Sequence, residues 1–475
     1  MTFDLASILS RRQGEKYALH EKHLNTQLVR VLKTLGYDVN FARGEGPHLY
    51  DVAGRRYLDL LSGFGVFALG RNHPAIAAAL RQVLEAQLPG LVQLDVSLLA
   101  GVLAEKLLAR IGMPALERVF FCNSGAEAVE SAIKFARMAT GRSKILYCDH
   151  AFHGLTYGAL SLNGSEVFRK GFGPLLPDCV KIPFNDLAAL EAALAGGPQG
   201  GDVAAFIVEP IQGKGVTLPA DGYLAEAARL CRRHGALFVV DEIQTGLGRT
   251  GRFLASEHWL DGKGGVEPDM VLLAKALSGG YVPVGAVAMR HWIFAKLFDR
   301  MDRALVHGST FAKNDLAMAA GIATLEVLAE EKLVEKADAM GRALLADLQG
   351  LAQKHELLKE VRGKGLMIGL EFGAPQSLRL KTAWHLMDSA RRGLFCQLVL
   401  IPLLRDHQVL CQVSGDDSYI IKLLPSLTID ESDRRWIVEA FDKVIGDCHH
   451  IGGAVWDLGR SLARHSLKAK AGAAG

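Results

Sequence analysis

Six short, continuously apolar runs punctuate the middle of the chain, and they constrain its fold more than any other feature. They are "RVFFC" at 118–122, "KILYCD" at 144–149, "AAFIVEP" at 204–210, "ALFVVDE" at 236–242, "MVLLAK" at 270–275 and "GAVAM" at 285–289. A strand with one wet face alternates apolar and polar residues. A run without polar breaks is buried on both faces. Helical patterns separate these runs, so the stretch from about 75 to 305 is expected to form a mostly parallel sheet covered on both sides by helices.

The flanks read differently. Residues 15–40 look helical and amphipathic, and "GPHLYDVAGRRYLDLLSG" gives short strands around a Gly turn. From about 315 come long helices, then "VRGKGLMIGLEF" and "YIIKLLPSLTI", expected to form a smaller α+β lobe. The divisions are 1–70 for an N-terminal helix and hairpin segment, 71–315 for a large domain, 316–460 for a small C-terminal domain and 461–475 for a disordered tail. No internal repeat is found.

Composition excludes several classes. Lys+Arg 54 against Asp+Glu 51 leaves a formal charge of +3, too balanced for a nucleic-acid binder or an anionic-membrane binder. No signal-peptide pattern opens the chain, and apolar stretches such as "GLFCQLVLIPLL" at 393–404 are too short to span a bilayer. The seven cysteines lack CxxC spacing, which argues against a disulfide framework or zinc site and makes the cytoplasm the default. His153, His307 and the pair at 449–450 show no metal spacing and read as surface or loop histidines; no metal is expected.

In open α/β sheets ligands sit beyond the carboxyl ends of the strands. After "RVFFC" comes "NSGAEAVESAIKFAR". Ser124, Gly125 and Ala126 open a helix there, and a helix N-terminus with a hydroxyl and free amides suits a phosphate, although a Ser-capped helix is the commoner explanation. Phe152 stands in a Gly-containing loop after "KILYCDH", able to lie against a planar ligand or simply to fill core. Asp241 ends a buried strand and needs a cationic or protonated partner, such as a ring nitrogen, although a helix cap or structural ion pair is the commoner explanation. Lys275 ends another; burial would weaken its hold on its proton and make the amine a nucleophile, whereas a snorkelling lysine is the plain alternative. Gly279 and Gly280 after it leave backbone room for a bulky neighbour. A phosphate cradle, a stacking ring, an acid for a pyridinium nitrogen and an imine-forming amine together match the requirements of pyridoxal 5'-phosphate.

The motifs "NSGAEAVESAIKFAR", "AFHG", "VEPIQG", "VVDEIQTGLGRTG", "LLAKALSGG", "HGSTFAKND" and "VRGKGLMIG" occur in the order found in class III aminotransferases, which the chain resembles from roughly 20 to 450. The resemblance implies the α/β architecture of PLP fold type I. That fold has a seven-stranded, mostly parallel sheet flanked by helices and a smaller α+β domain built from the C-terminal part with the N-terminal segment. It implies Lys275 as the imine lysine, Asp241 as partner of the pyridine nitrogen and Gln244 as hydrogen-bond partner of the ring hydroxyl. Ser124, Gly125 and Ala126 correspond to the phosphate cradle, Phe152 to the stacking aromatic, and His153 of "AFHG" falls among the cofactor-binding positions. Ser309 and Thr310 match a segment that reaches the phosphate of a neighbouring subunit, implying a homodimer with sites at its interface.

Departures bear on the substrate. Leu155 stands where ornithine-type members carry a carboxylate-binding arginine, and Phe64 where they carry a tyrosine. Lys422 replaces an arginine opposite Glu209, keeping the charge but losing the bidentate fork. These changes predict transamination of a terminal amine, or of an apolar substrate without a tightly held α-carboxylate. The stretch after "AFHG" also resembles putrescine aminotransferases, and the apolar run near 400 leaves a lipid-like or polyketide-like carbonyl acceptor open. Ornithine or acetylornithine aminotransfer, and an aminomutase reaction of the same class, are the alternatives. A binding protein that kept the fold without catalysis would be expected to have lost Lys275 or Asp241, and both are present.

Overall fold

In this computed structural model, residues 3–92, 94–196, 201–260, 267–390, 392–415 and 419–450 are described. The tail at 461–475 and most of the "GDDSY" turn lie outside them. All six apolar runs are strands of one seven-stranded sheet. Its order is Arg118–Cys122, Gly285–Met289, Met270–Leu273, Leu237–Asp241, Val203–Val208, Lys144–Cys148 and Cys179–Ile182. Gly285–Met289 runs antiparallel to both its neighbours, and the other pairings are parallel. The seventh strand, Cys179–Ile182, sits at the edge and was not among the six runs.

Side chains on a strand alternate between faces, and the two faces feed two cores. Val271 and Leu273 join the cluster containing Ile76, Leu103 and Met318 from helices Pro74–Glu85, Leu98–Ile111 and Asp315–Glu330. Met270 and Leu272 join the cluster under the helix Gly125–Thr140, with Val129 and Phe135. A strand with both faces buried must be apolar throughout, as "MVLL" is.

The N-terminal stretch forms separate helices, Leu5–Arg12, Lys16–His23 and Thr26–Leu35, where one amphipathic helix over 15–40 is the simpler expectation. The break falls where the Asn25 side chain accepts from Leu28 N and starts a new helix. The hairpin is present: His48–Asp51 pairs antiparallel with Arg56–Asp59. That sheet is completed by Val409–Leu410, which pairs parallel to Arg56–Asp59, so the N-terminal segment packs with the C-terminal part. A second small sheet combines Leu358–Lys364, Met367–Phe372, Ile420–Leu423 and Gln412–Ser414. Arg362 on its first strand donates to the carbonyls of Gly215 and Val216 and fastens the loop that follows Glu209.

The apolar run near 400 is the helix Leu394–Arg405, and Leu394–Cys396 and Leu398–Leu404 are buried. A helix apolar on all sides belongs to a core. It lines no part of the cavity described below, so it gives no support to a lipid-like acceptor.

Candidate functional site

The strand ends converge on a cavity of about 970 Å3. Of the fourteen residues named from the sequence, twelve line it: Phe64, Ser124, Gly125, Ala126, Phe152, His153, Leu155, Glu209, Asp241, Gln244, Lys275 and Lys422. Ser309 and Thr310 do not. They are exposed, and Ser309 Oγ accepts from Asn123 Nδ2 of its own chain at 2.6 Å, beside the start of the helix Gly125–Thr140.

Each group is placed by the end of its own element. Ser124 is the N-cap of the helix Gly125–Thr140, its Oγ accepting from Glu127 N at 3.2 Å. Among the described residues no acceptor is found for the amides of Gly125 and Ala126, which belong to the first turn, where a helix leaves its donors unpaired. Lys275 follows the strand Met270–Leu273 in the left-handed region, φ 44°. Such a conformation is strained for a residue with a side chain and is kept only where the surroundings fix it.

Gly279 and Gly280, also left-handed, do leave room, but for side chains of this chain. A Cβ on Gly279 would stand 2.2 Å from Ile76 Cδ1, and one on Gly280 2.5 Å from Phe67 Cδ1.

His153 corrects its reading as a surface or loop residue. It is 2% exposed, and its Nδ1 lies 2.7 Å from Asp241 Oδ2. The other carboxylate oxygen of Asp241 accepts from Ile243 N at 3.0 Å. Burial disfavours a charged imidazole, but the hydrogen bond and charge of Asp241, with the charge of Glu209, outweigh it and hold the His153 pKa above its ordinary value. His153 Nε2 is buried without a partner among the described residues.

Burial pushes the Lys275 amine below the ordinary lysine range, and the charges of Asp241 and Glu209 pull it part of the way back. Glu209 is also buried; burial raises its pKa, although His153 and the amides of Gly213 and Phe152 favour its charged form. Lys422, placed opposite Glu209 by the sequence, makes no direct pair with it. Its Nζ donates to Gly213 O at 2.6 Å and to Gln244 Oε1 at 3.1 Å. Burial and the nearby charge of Lys275 push its pKa down to about 8, with Glu209 opposing.

Sequence reasoning missed the strand Gln412–Ser414, which supplies Gln412, Val413 and Ser414 to the cavity wall. Its alternation is too short to register as a signal. Among the described residues the wall contains three lysines, Lys214, Lys275 and Lys422, and no arginine. No group of His, Cys, Asp and Glu among the described residues could hold a metal.

The donor set fits a phosphorylated pyridine aldehyde. Unpaired helix amides suit the phosphate, Asp241 suits a protonated ring nitrogen, and an amine with a lowered pKa suits the aldehyde.

Comparison with known proteins agrees. Residues 33–445 match the family model "Aminotransferase class-III". The chain is 34% identical over 457 residues to the aminotransferase PigE of a Serratia species, covering 90% of this chain and 52% of that protein's length, so it spans about half of that relative. The ornithine aminotransferase of Toxoplasma gondii superposes with a TM-score of 0.76 at 31% identity, covering 92% of this chain and 97% of that one. A PLP-bound amine transaminase from an uncultivated Pseudomonas species gives 0.72 at 28% identity, over 86% and 94%. By its motifs, its seven-stranded sheet and these matches, the chain belongs to the class III aminotransferases, pyridoxal-phosphate enzymes of fold type I.

Proposed function

We propose that the protein transfers an amino group from a terminal amine, or from an apolar amine lacking a tightly held α-carboxylate, to an oxo acceptor. One observation carries the substrate reading: the described wall of the cavity holds no arginine, and the ammonium of Lys422, which stands at the arginine's place, is already engaged by Gly213 and Gln244. A carboxylate in such a pocket would lack a bidentate partner and stay poorly paired on burial. Phe64 and Leu155, both more than half exposed and both on the wall, offer apolar surface instead.

Bound pyridoxal phosphate supplies an electron sink for negative charge developing on the substrate carbon. Lys275 anchors the cofactor and then, as a free amine, moves the proton at that carbon. Asp241, oriented by His153 and by the Ile243 amide, would serve the ring nitrogen and keep it protonated. Ser124, Gly125 and Ala126 would hold the phosphate, Phe152 would lie against the ring, and Gln244 would hydrogen-bond the ring hydroxyl. The exposed Ser309 and Thr310 support a homodimer in which this segment completes the partner's phosphate site. Seven cysteines without a disulfide fit a reducing compartment, the cytoplasm.

The test mixes holoenzyme with putrescine, ornithine, acetylornithine, glutamate and long-chain primary amines and follows the cofactor absorbance for each half-reaction. Conversion by putrescine or a long-chain amine is expected, and Lys275→Ala should abolish it. Fast conversion by ornithine or acetylornithine alone would overturn the substrate reading. Return of the amine to the same carbon skeleton, with no oxo product released, would point to an aminomutase.

A further inference from the structure

A hydrogen-bonded belt crosses the cavity wall. Phe64 O accepts from Gln244 Nε2 at 3.1 Å, and Gln244 Oε1 accepts from Lys422 Nζ at 3.1 Å. Lys422 also donates to Gly213 O at 2.6 Å; Gly213 N donates to Glu209 Oε1 at 2.9 Å, and Glu209 Oε2 accepts from Phe152 N at 3.1 Å. The belt thus runs from the residue on the proposed substrate side to the ring that flanks the proposed cofactor side. It is tightly packed: a Cβ on Gly213 would stand 2.7 Å from Gln244 Oε1 and 3.2 Å from Glu209 Oε1.

One end of the belt is strained. Ser62, Gly63, Phe64 and Gly65 have consecutive positive φ values of 45°, 62°, 62° and 89°. Asp59 Oδ1 holds the start of this turn through the amides of Leu61 and Ser62. At its far end the carbonyl of Phe64 is held by Gln244. An amide side chain can turn end for end, exchanging its acceptor for its donor. Lys422 removes that freedom. An ammonium has three donors and no acceptor, so only Oε1 can face it, and the amide nitrogen is left toward Phe64.

We propose that Lys422 is a positioning residue: by fixing which end of the Gln244 amide faces Phe64, it holds the left-handed turn whose phenyl ring forms the substrate-side wall. The pocket's preference for an apolar chain then depends on a cation that does not itself grip substrate. The substrate half of this inference rests on the function proposed above; the structural half does not.

Hydrogen exchange on the holoenzyme tests the structural half. Deuterium uptake by a peptide spanning residues 60–67 should quicken about threefold or more in Lys422→Met and in Gln244→Leu. It should return toward wild type in Lys422→Arg, since a guanidinium also lacks an acceptor. A peptide spanning 123–130 should be unchanged. Unaltered uptake at 60–67, or equal quickening in both peptides, overturns the proposal.

Steady-state kinetics tests the rest. Lys422→Met should raise KM for a long-chain primary amine about fivefold relative to putrescine, and Phe64→Ala should erase that difference between the two Lys422 forms. An undiminished effect in the Phe64→Ala background would mean that Lys422 meets substrate directly, and would overturn it. Quickened exchange together with no turnover of either amine by wild type would leave the positioning role standing and reject the apolar-substrate reading.

Discussion

His153 and Asp241 show what a single residue can conceal in a sequence. They lie 88 positions apart and meet at 2.7 Å. No periodicity or spacing links them, so His153 read alone as a loop residue, whereas the strand-end aspartate could be found because a buried carboxylate demands a partner. Their contact predicts a pH dependence. The His153 pKa is raised in the folded state. The contact therefore contributes stability that is full below the ordinary histidine value of about 6.5 and is lost as pH rises through the folded value. His153→Asn should cost about 3 kcal/mol near pH 6, where a buried partner is left alone. The difference from wild type should shrink steadily toward pH 9, as urea melts of both proteins across that range would show. A gap that widened with pH would place the proton elsewhere.

Among the elements, unbroken apolar strands were legible and strands interrupted by polar residues were not. The six runs are strands that lie largely inside the two cores, the edge strand Arg118–Cys122 least so. Cys179–Ile182 escaped notice for a physical reason: it is an edge strand with Lys181 exposed, and edges are kept polar to discourage pairing with other chains. The helix Leu394–Arg405 shows the opposite failure. Its apolar run is real, but an apolar run alone cannot say whether it faces a ligand or other side chains. At the helix Gly125–Thr140 the sequence was informative, since a Ser followed by small residues after a strand gives both cap and opening. Ser124→Ala should cost about 1 kcal/mol of stability through the lost cap. It should also weaken retention of pyridoxal phosphate, read from the cofactor absorbance left after dialysis. Unchanged retention would take Ser124 out of the cradle.

For the whole molecule, one group of exposed apolar side chains falls close together in the sequence. Met301, Leu305, Val306 and Phe311 are 96%, 83%, 45% and 62% exposed within one stretch that also carries Ser309 and Thr310. The homodimer proposed above would cover this stretch. Sedimentation should give a species of about twice the 51.3 kDa chain mass, and Phe311→Glu should shift it toward the single chain while loosening cofactor retention. A wild-type monomer with full activity would remove the partner from the site. The sequence could show none of this by spacing; only the family resemblance raised it.

The parallel pairing of Val409–Leu410 with Arg56–Asp59 has a consequence for how the chain comes into being. Some 350 residues separate the two strands, so the earlier one leaves the ribosome long before its partner exists. Until then its open edge is a template for other chains. The turn carrying Phe64 begins only three residues after that strand, so it too stands beside an unfilled place in the sheet until late in synthesis. A nascent chain stopped short of residue 409 would leave that edge unpaired.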